Sequence, residues 1–258
     1  MKKIFVLLFI FFTLANPVYA KNIKFIQITD VHLNKNNVLA LADFVDEMNA
    51  KYYNDADFVI FTGDNIDRAY PESLELFLDT IKNLKIRTYV IPGNHDLFRK
   101  NNMPRENYMK AVRKNLGRYH SSNPNYIFKK GKIVFVKMNG VKEIIPSPNG
   151  YFKESELIWL DKTLDRYKNK KVVISQHFPI LDAKSKGHSL YKKENYLKIL
   201  EKHNNVISVI SGHYHENREE MHDGVYHIIT QKFSDNRFYK IIEIDDDDNF
   251  VYTRLIEK

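Results

Sequence analysis

Thr88-Tyr89-Val90-Ile91-Pro92-Gly93-Asn94-His95-Asp96 is the stretch that decides how this chain folds. Its first four residues are a run of strand length, Pro92 and Gly93 stop it, and three metal-competent side chains follow: a neutral oxygen donor, an imidazole and a carboxylate. Polar residues delivered at the carboxyl end of a strand are how open α/β sheets build ligand sites.

The same pattern recurs on both sides of it. Upstream, residues 58–61 run into Gly63-Asp64, and residues 23–28 run into Asp30-Val31-His32. Downstream, residues 172–175 run into Gln176-His177, and residues 206–210 into Gly212-His213-Tyr214-His215. Between several of these strands lie stretches with apolar residues three and four apart, at 38–53, 72–84, 154–167 and 191–203, which predict amphipathic helices. The alternation predicts βαβ units around a largely parallel sheet. Antiparallel hairpins are expected at 126–138, turning at Lys130-Gly131, and at 239–256, turning within 245–249. Asp223-Gly224 marks a further turn into a strand at 225–230.

Each motif carries specific chemistry. Asp30 and His32, two positions apart on extended backbone, would project to one side and reach one metal. Asp64 follows a glycine that permits a sharp turn, and its two oxygens can bridge two ions. His213 and His215 repeat the two-residue spacing with imidazoles. Taken singly, Asp64 reads better as a helix cap and His177 as a hydrogen-bonded strand-end histidine. Together, four histidines, two aspartates and Asn94 form a nitrogen and oxygen donor set sufficient for two ions with room for water. Cysteine is absent, which excludes thiolate metal sites and a disulfide framework.

The ordered series Asp-x-His, Gly-Asp, Gly-Asn-His-Asp, a lone His and Gly-His-x-His resembles the calcineurin-like metallophosphoesterase superfamily, and it spans Asp30 to His215. The resemblance implies an α/β (α+β) fold, a four-layer αββα sandwich of two mixed β-sheets flanked by helices. It implies one metal held by Asp30, His32, Asp64 and His215, and a second by Asp64, Asn94, His177 and His213. His32 stands near where purple acid phosphatases carry a tyrosine ligand, so an iron-tyrosinate centre is not expected. The cofactors implied are two divalent or mixed-valence transition metal ions, from manganese, iron, zinc or cobalt. The implied reaction is in-line attack on phosphorus by a metal-bridging hydroxide. His95, not needed as a ligand, would act as the acid for the leaving oxygen, and Asp96 would orient or charge it. A non-catalytic metal-binding interaction protein on the same fold is the alternative, and the intact ligand series argues against it. Asp67, Arg68 and the loop residue His188 are left without a role. His120, His203, His222 and His227 have no ligand company in sequence.

The first twenty residues read as an export signal: Lys2 and Lys3, an uncharged run from Ile4 to Leu14 too short to span a bilayer, and small residues ending at Ala20. The expectation is cleavage there, a single phosphoesterase domain at 21–258 with no transmembrane segment, and a secreted or periplasmic location. The formal charge is +8, and losing Lys2 and Lys3 lowers it to +6. The lysines are scattered rather than gathered into a stripe, so a nucleic-acid site is not expected. The expected partner is a small-molecule or lipid-headgroup phosphoester. Asp245 to Asp248 read as a solvated hairpin tip, because they lack the spaced pattern of a calcium loop.

Overall fold

The computed structural model describes residues 22–183, 188–245 and 250–258; the predicted leader and most of the acidic hairpin tip lie outside them. The chain order is β1 (Ile23–Ile28), α1 (Val38–Glu47), β2 (Phe58–Thr62), α2 (Pro71–Ile81), β3 (Thr88–Ile91), α3 (Arg105–Leu116), β4 (Tyr126–Lys130) and β5 (Ile133–Lys137). It continues with α4 (Glu154–Arg166), β6 (Val172–Ser175), α5 (Lys193–Lys202), β7 (Val206–Ser211), β8 (Arg218–His222), β9 (Val225–Ile229), α6 (Phe233–Asn236), β10 (Tyr239–Ile244) and β11 (Val251–Ile256).

Two mixed sheets result, with strand orders β11-β10-β1-β2-β3 and β4-β5-β6-β7-β9-β8. This is the four-layer sandwich of two mixed sheets that the resemblance implies; the βαβ alternation taken alone accounts only for the parallel pairs. The parallel pairs are β1 with β2, β2 with β3, β5 with β6, β6 with β7 and β7 with β9, while hairpins and β10 supply antiparallel edges. The physical reason is that each parallel strand follows a helical crossover or a long connection, whereas Lys130-Gly131 and Asp223-Gly224 turn the chain straight back.

The central strands are buried on both faces, as a sheet covered on each side requires. Phe25, Phe58, Ile60, Phe135, Val173, Ile210 and Ile242 fill the space between the sheets. The alternate residues Ile26, Ile28, Val59, Phe61, Val134 and Ile174 turn outward under the helices. Aromatic rings bridge the layers: Phe25 stacks on Phe58 at 4.7 Å, and both meet Phe135 edge-on at 5.6 and 5.1 Å. The predicted helix at 38–53 is present as α1 followed by one π-helical stretch, Met48–Tyr52. Among the described residues no helix is long and apolar enough to cross a membrane.

Candidate metal centre

Five strands, β1, β2, β3, β6 and β7, deliver the predicted residues to one edge. Backbone hydrogen bonds lace their loops together: Asp30 N–H donates to the Gly63 carbonyl at 3.0 Å, His32 N–H to that of Asp64 at 2.9 Å, and Gly212 N–H to that of His177 at 3.1 Å. The Asp-x-His pair does not lie on extended backbone, as the spacing argument assumed. Asp30 and His32 have φ of 52° and 44°, Asp64 50°, and His213 and His215 69° and 53°. Left-handed backbone costs a non-glycine residue about 1–2 kcal/mol, and such strain gathers where surrounding structure over-determines it. Here the determinants are the inter-loop bonds above and Asn37, whose amide donates to the carbonyls of Val31 and His32, each at 3.2 Å.

Close packing explains two of the motif glycines. A Cβ on Gly93 would fall on the Asp64 backbone and carboxylate, and one on Gly212 would collide with Thr29 and the Asp30 carboxylate.

All seven predicted ligands meet. Asp30 Oδ1 lies 3.3 Å from His215 Nε2 and 3.9 Å from His32 Nε2, and those two nitrogens are 3.4 Å apart. Asp64 Oδ2 lies 3.3 Å from His177 Nε2 and 3.9 Å from His32 Nε2. Asn94 Oδ1 is 3.1 Å from His177 Nε2. Asp30, His32 and His215 form one group able to hold an ion, and Asp64, His177 and His213 another. Asp64 reaches both.

The donor set fits metal on its own chemistry. His177 Nδ1 is 2.9 Å from the Thr62 carbonyl, which fixes the proton there and leaves the Nε2 lone pair facing two acceptors, Asp64 Oδ2 and Asn94 Oδ1. His213 Nε2 is likewise 2.8 Å from the Pro148 carbonyl, leaving Nδ1 for the centre. Asp30 Oδ1 is buried with no hydrogen-bond partner. Acceptors facing acceptors in a buried place call for a cation between them. The protein's own charges show the same tension. Burial disfavours a charged His177, but the Asp64 carboxylate against it wins and lifts it to about 9. Burial, reinforced by His177, pushes His213 down to about 3.

His95 stands apart from the ligands. Its Nδ1 is 2.8 Å from the Asp67 carbonyl, and its Nε2 faces Asp64 Oδ2 at 4.0 Å. Burial lowers its pKa, yet Asp64, the Asp67 carbonyl and Asp96 together raise it above the usual value. Of the two roles expected for Asp96, orienting or charging His95, the orienting one needs correction. Asp96 is fully buried and accepts from the backbone N–H groups of Gly93 at 2.7 Å, Asn65 at 2.9 Å and Ile66 at 3.0 Å, and from the Asn65 amide at 2.8 Å. Its carboxylate pins the Gly63–Asn65 loop to the Gly93 turn, so it supports Asp64; the group that orients His95 is the backbone of Asp67. Burial and the charge of Asp64 push Asp96 up to about 7 against those donors.

Several contributors escaped the sequence reading. Asn65 bonds Asp96, the Ile91 carbonyl and the Tyr108 hydroxyl. Thr29 donates to Asp30 Oδ2 at 2.6 Å. Asp67 groups with His32 and His95, and the His188 ring lies 5.5 Å from that of His213. For Asn65 the only sequence signal is adjacency to Asp64. His120, His203, His222 and His227 lie outside the three ion-competent groups. A cavity of about 420 Å³ opens beside His95 and Asn94, walled by Tyr70, Leu97, Phe98, Pro146 and Pro148 with Arg68 on its lining.

Comparison with known proteins agrees with this geometry. The chain is 29% identical over 204 residues, 74% of its own length and 71% of the relative's, to a probable glycerophosphodiester phosphodiesterase of Arcobacter nitrofigilis. It is 26% identical over 223 residues, 80% and 76% of the two chains, to a 3′,5′-cyclic-nucleotide phosphodiesterase of Nostoc. A dimetal phosphatase from Danio rerio shares the fold, with a TM-score of 0.65 at 16% identity over 91% of this chain and 98% of that one. The model of the calcineurin-like phosphoesterase family matches residues 23–217, and the chain belongs to that family.

Proposed function

We propose that this protein is a dinuclear metal-dependent phosphodiesterase acting on a small phosphoester outside the cytoplasm. The observation that carries the reading is the position of Asp64, whose carboxylate reaches both ion-competent groups while His95, free of ligand duty, faces the same oxygen. Asp30, His32, Asp64 and His215 would hold one ion and Asp64, Asn94, His177 and His213 the other. Manganese, iron, zinc or cobalt suits such donors. A metal pair supplies charge neutralisation for phosphoryl oxygens and a water acidic enough to serve as nucleophile near neutral pH.

The chain's own residues account for the rest. The Asp67 carbonyl holds the Nδ1 proton of His95, so protonated His95 presents Nε2–H to the centre and hands that proton to the leaving oxygen. The carboxylates around it favour the protonated form. The cavity beside His95 lies where the departing alcohol must go, and its apolar walls supply contact for an organic group. That cavity suits the leaving alcohol of a monoester or a diester alike. The preference for a diester is supported by the relatives named as phosphodiesterases.

The export reading rests on residues 1–20, and the N-terminal sequence of protein recovered from its producing cell tests it, with Lys21 as the expected first residue. The activity is tested on metal-reconstituted protein with a bis-aryl phosphodiester, an aryl monoester, cyclic nucleotides and glycerophosphodiesters. Hydrolysis of one or more diesters faster than the monoester is expected. Failure to hydrolyse any of the four sinks the enzyme reading.

A further inference from the structure

A second cavity, of about 550 Å³, opens between the C-terminal turn of α3, the loop before β4 and the end of α4, and it shares no lining residue with the metal centre. Its volume is that of a small-molecule site. Arg113, Arg118 and Arg166 line it, and no aspartate or glutamate does. Among the described residues none of these three arginines has a carboxylate within ion-pair distance, whereas Arg99, Arg105, Arg218 and Arg237 each meet one. Arginine in the last turn of a helix is favoured by the helix dipole in any protein. What is particular here is that Arg113 from α3 and Arg166 from α4 converge with Arg118 on one concavity.

Beneath the cavity lies a buried lysine with no carboxylate partner among the described residues. Lys137 is buried, and its ammonium donates to the Tyr126 hydroxyl at 2.6 Å and the Val90 carbonyl at 2.7 Å, under the ring faces of Tyr126 and Tyr89. The Tyr126 hydroxyl in turn lies 3.2 Å from His120 Nδ1, whose other nitrogen is 3.0 Å from the Thr88 carbonyl. Tyr126 and His120 both line the cavity. Among the described residues the Lys137 amine thus has carbonyl, hydroxyl and π partners but no counter-charge, and burial drives its pKa well down, toward the neutral form that an arriving anion would recharge. Trp159, Tyr119 and Tyr167 contribute aromatic walls, alongside the polar Ser121, Asn123, Asn125 and Thr163. Guanidinium groups with aromatic planes and no carboxylate recognise a planar group bearing an oxyanion.

We propose that the cavity between α3, β4 and α4 binds an aromatic phosphate of the nucleoside phosphate class, its phosphate on Arg113, Arg118 and Arg166 above Lys137 and its planar group among Trp159, Tyr119 and Tyr167. This site is independent of the metal centre and of the reaction proposed there.

Trp159 is the only tryptophan of the chain, so its fluorescence reports on this cavity. The full-length, metal-loaded protein is titrated with adenosine 5′-monothiophosphate, which resists hydrolysis, and in parallel with adenosine and with inorganic thiophosphate. The expected result is a saturable change in Trp159 emission with the nucleotide, at a midpoint at least about tenfold below either fragment. In Arg113→Ala and Arg166→Ala that midpoint rises at least about tenfold, while both variants keep the wild-type melting temperature. No saturable change up to millimolar nucleotide overturns the proposal, as does an unchanged midpoint in both variants. Thiophosphate binding as tightly as the nucleotide overturns the aromatic assignment. Should either variant melt early, Arg113→Lys and Arg166→Lys replace them: a point charge without the planar fork is expected to weaken binding severalfold, and wild-type affinity in both again overturns it.

Discussion

The two halves of the centre are built differently. Around His177 and Asp64 the protein is closed, with side chains 1% and 2% exposed, and the imidazole is locked by the Thr62 carbonyl and packed against Phe178. Around His32 and His215 it is open, with side chains 14% and 38% exposed. The closed half is part of the core and the open half is part of the surface, so metal should exchange from the second far more readily than from the first. The cavity proposed for the leaving group borders Asn94 and His95, so substrate would meet the closed half as well as the open one.

The largest effect should come from removing what the halves share. Asp64→Ala is expected to abolish stoichiometric metal at both positions and lower turnover on a diester by about three orders of magnitude or more. Retention of one full metal equivalent would show that the halves are independent. Next, His95→Ala should keep both metals yet lose about 10²- to 10³-fold on an alkyl diester, with only a small loss on an aryl diester, whose leaving oxygen needs no proton. Equal losses on both would remove the acid role.

The contrast in burial is tested directly by a matched pair. His177→Ala strands buried acceptors on Thr62 and Asp64 and should cost about 1–3 kcal/mol of stability in the metal-free protein, whereas His215→Ala should cost almost nothing there and show itself only as lost metal. Thermal melts with and without chelator separate the two, and equal melting temperatures for both variants would erase the distinction.

Acid should weaken the fold away from the centre as well. Burial, helped by the charge of Lys137, depresses His120 to about 3, and burial with His222 nearby depresses His227 to about 4. Above pH 6.5 both are neutral folded and unfolded, so their contribution is constant. As pH falls below 6.5 the unfolded chain takes up protons that the folded one refuses, and stability drops by up to about 1.4 kcal/mol per pH unit for each, until the folded values near 4 and 3 are reached. Urea denaturation of chelated protein at pH 7.5 and 5 should differ accordingly, and His227→Gln should flatten the slope; a slope unchanged by that substitution would refute the assignment. The smallest effect belongs to the pocket rim: Arg68→Ala should raise KM a few-fold and leave kcat alone, since the side chain is exposed and its one ion pair among the described residues, to Asp67, is long at 3.9 Å.

Every predicted ligand was legible in the sequence because each is a residue of restricted chemistry at the end of a recognisable strand. What spacing could not reveal was direction. Asp96 follows His95 in the chain yet turns the opposite way into a nest of backbone N–H groups, and Asp30 and His32 share a target through left-handed backbone rather than through strand alternation. Three elements also went unread, one of them the single-turn α6. The helix α3 buries only Tyr108, Met109 and Val112 along an otherwise polar run, a weak periodic signal. The strand β8, Arg-Glu-Glu-Met-His, sits at a sheet edge, where charge protects against pairing with another chain but hides the strand from a hydrophobicity reading. Cation-lined cavities such as the one over Lys137 are invisible for another reason: Arg113, Trp159 and Arg166 come together only through the packing of separate elements.

The pairing of β1 sets a condition on when the centre can exist. This strand, which leads to Asp30 and His32, is clasped between β2 and β10, and the turn into α6 adds a bond from Phe233 N–H to the Thr29 carbonyl. β10 comes later in the chain than every ligand. A ribosome must therefore release the chain at least through β10 before the first ligand pair has its final support, so a metal would find that site complete only after this strand has emerged. If the leader works as proposed, the ions come from the compartment the protein is sent to, and their identity is decided there.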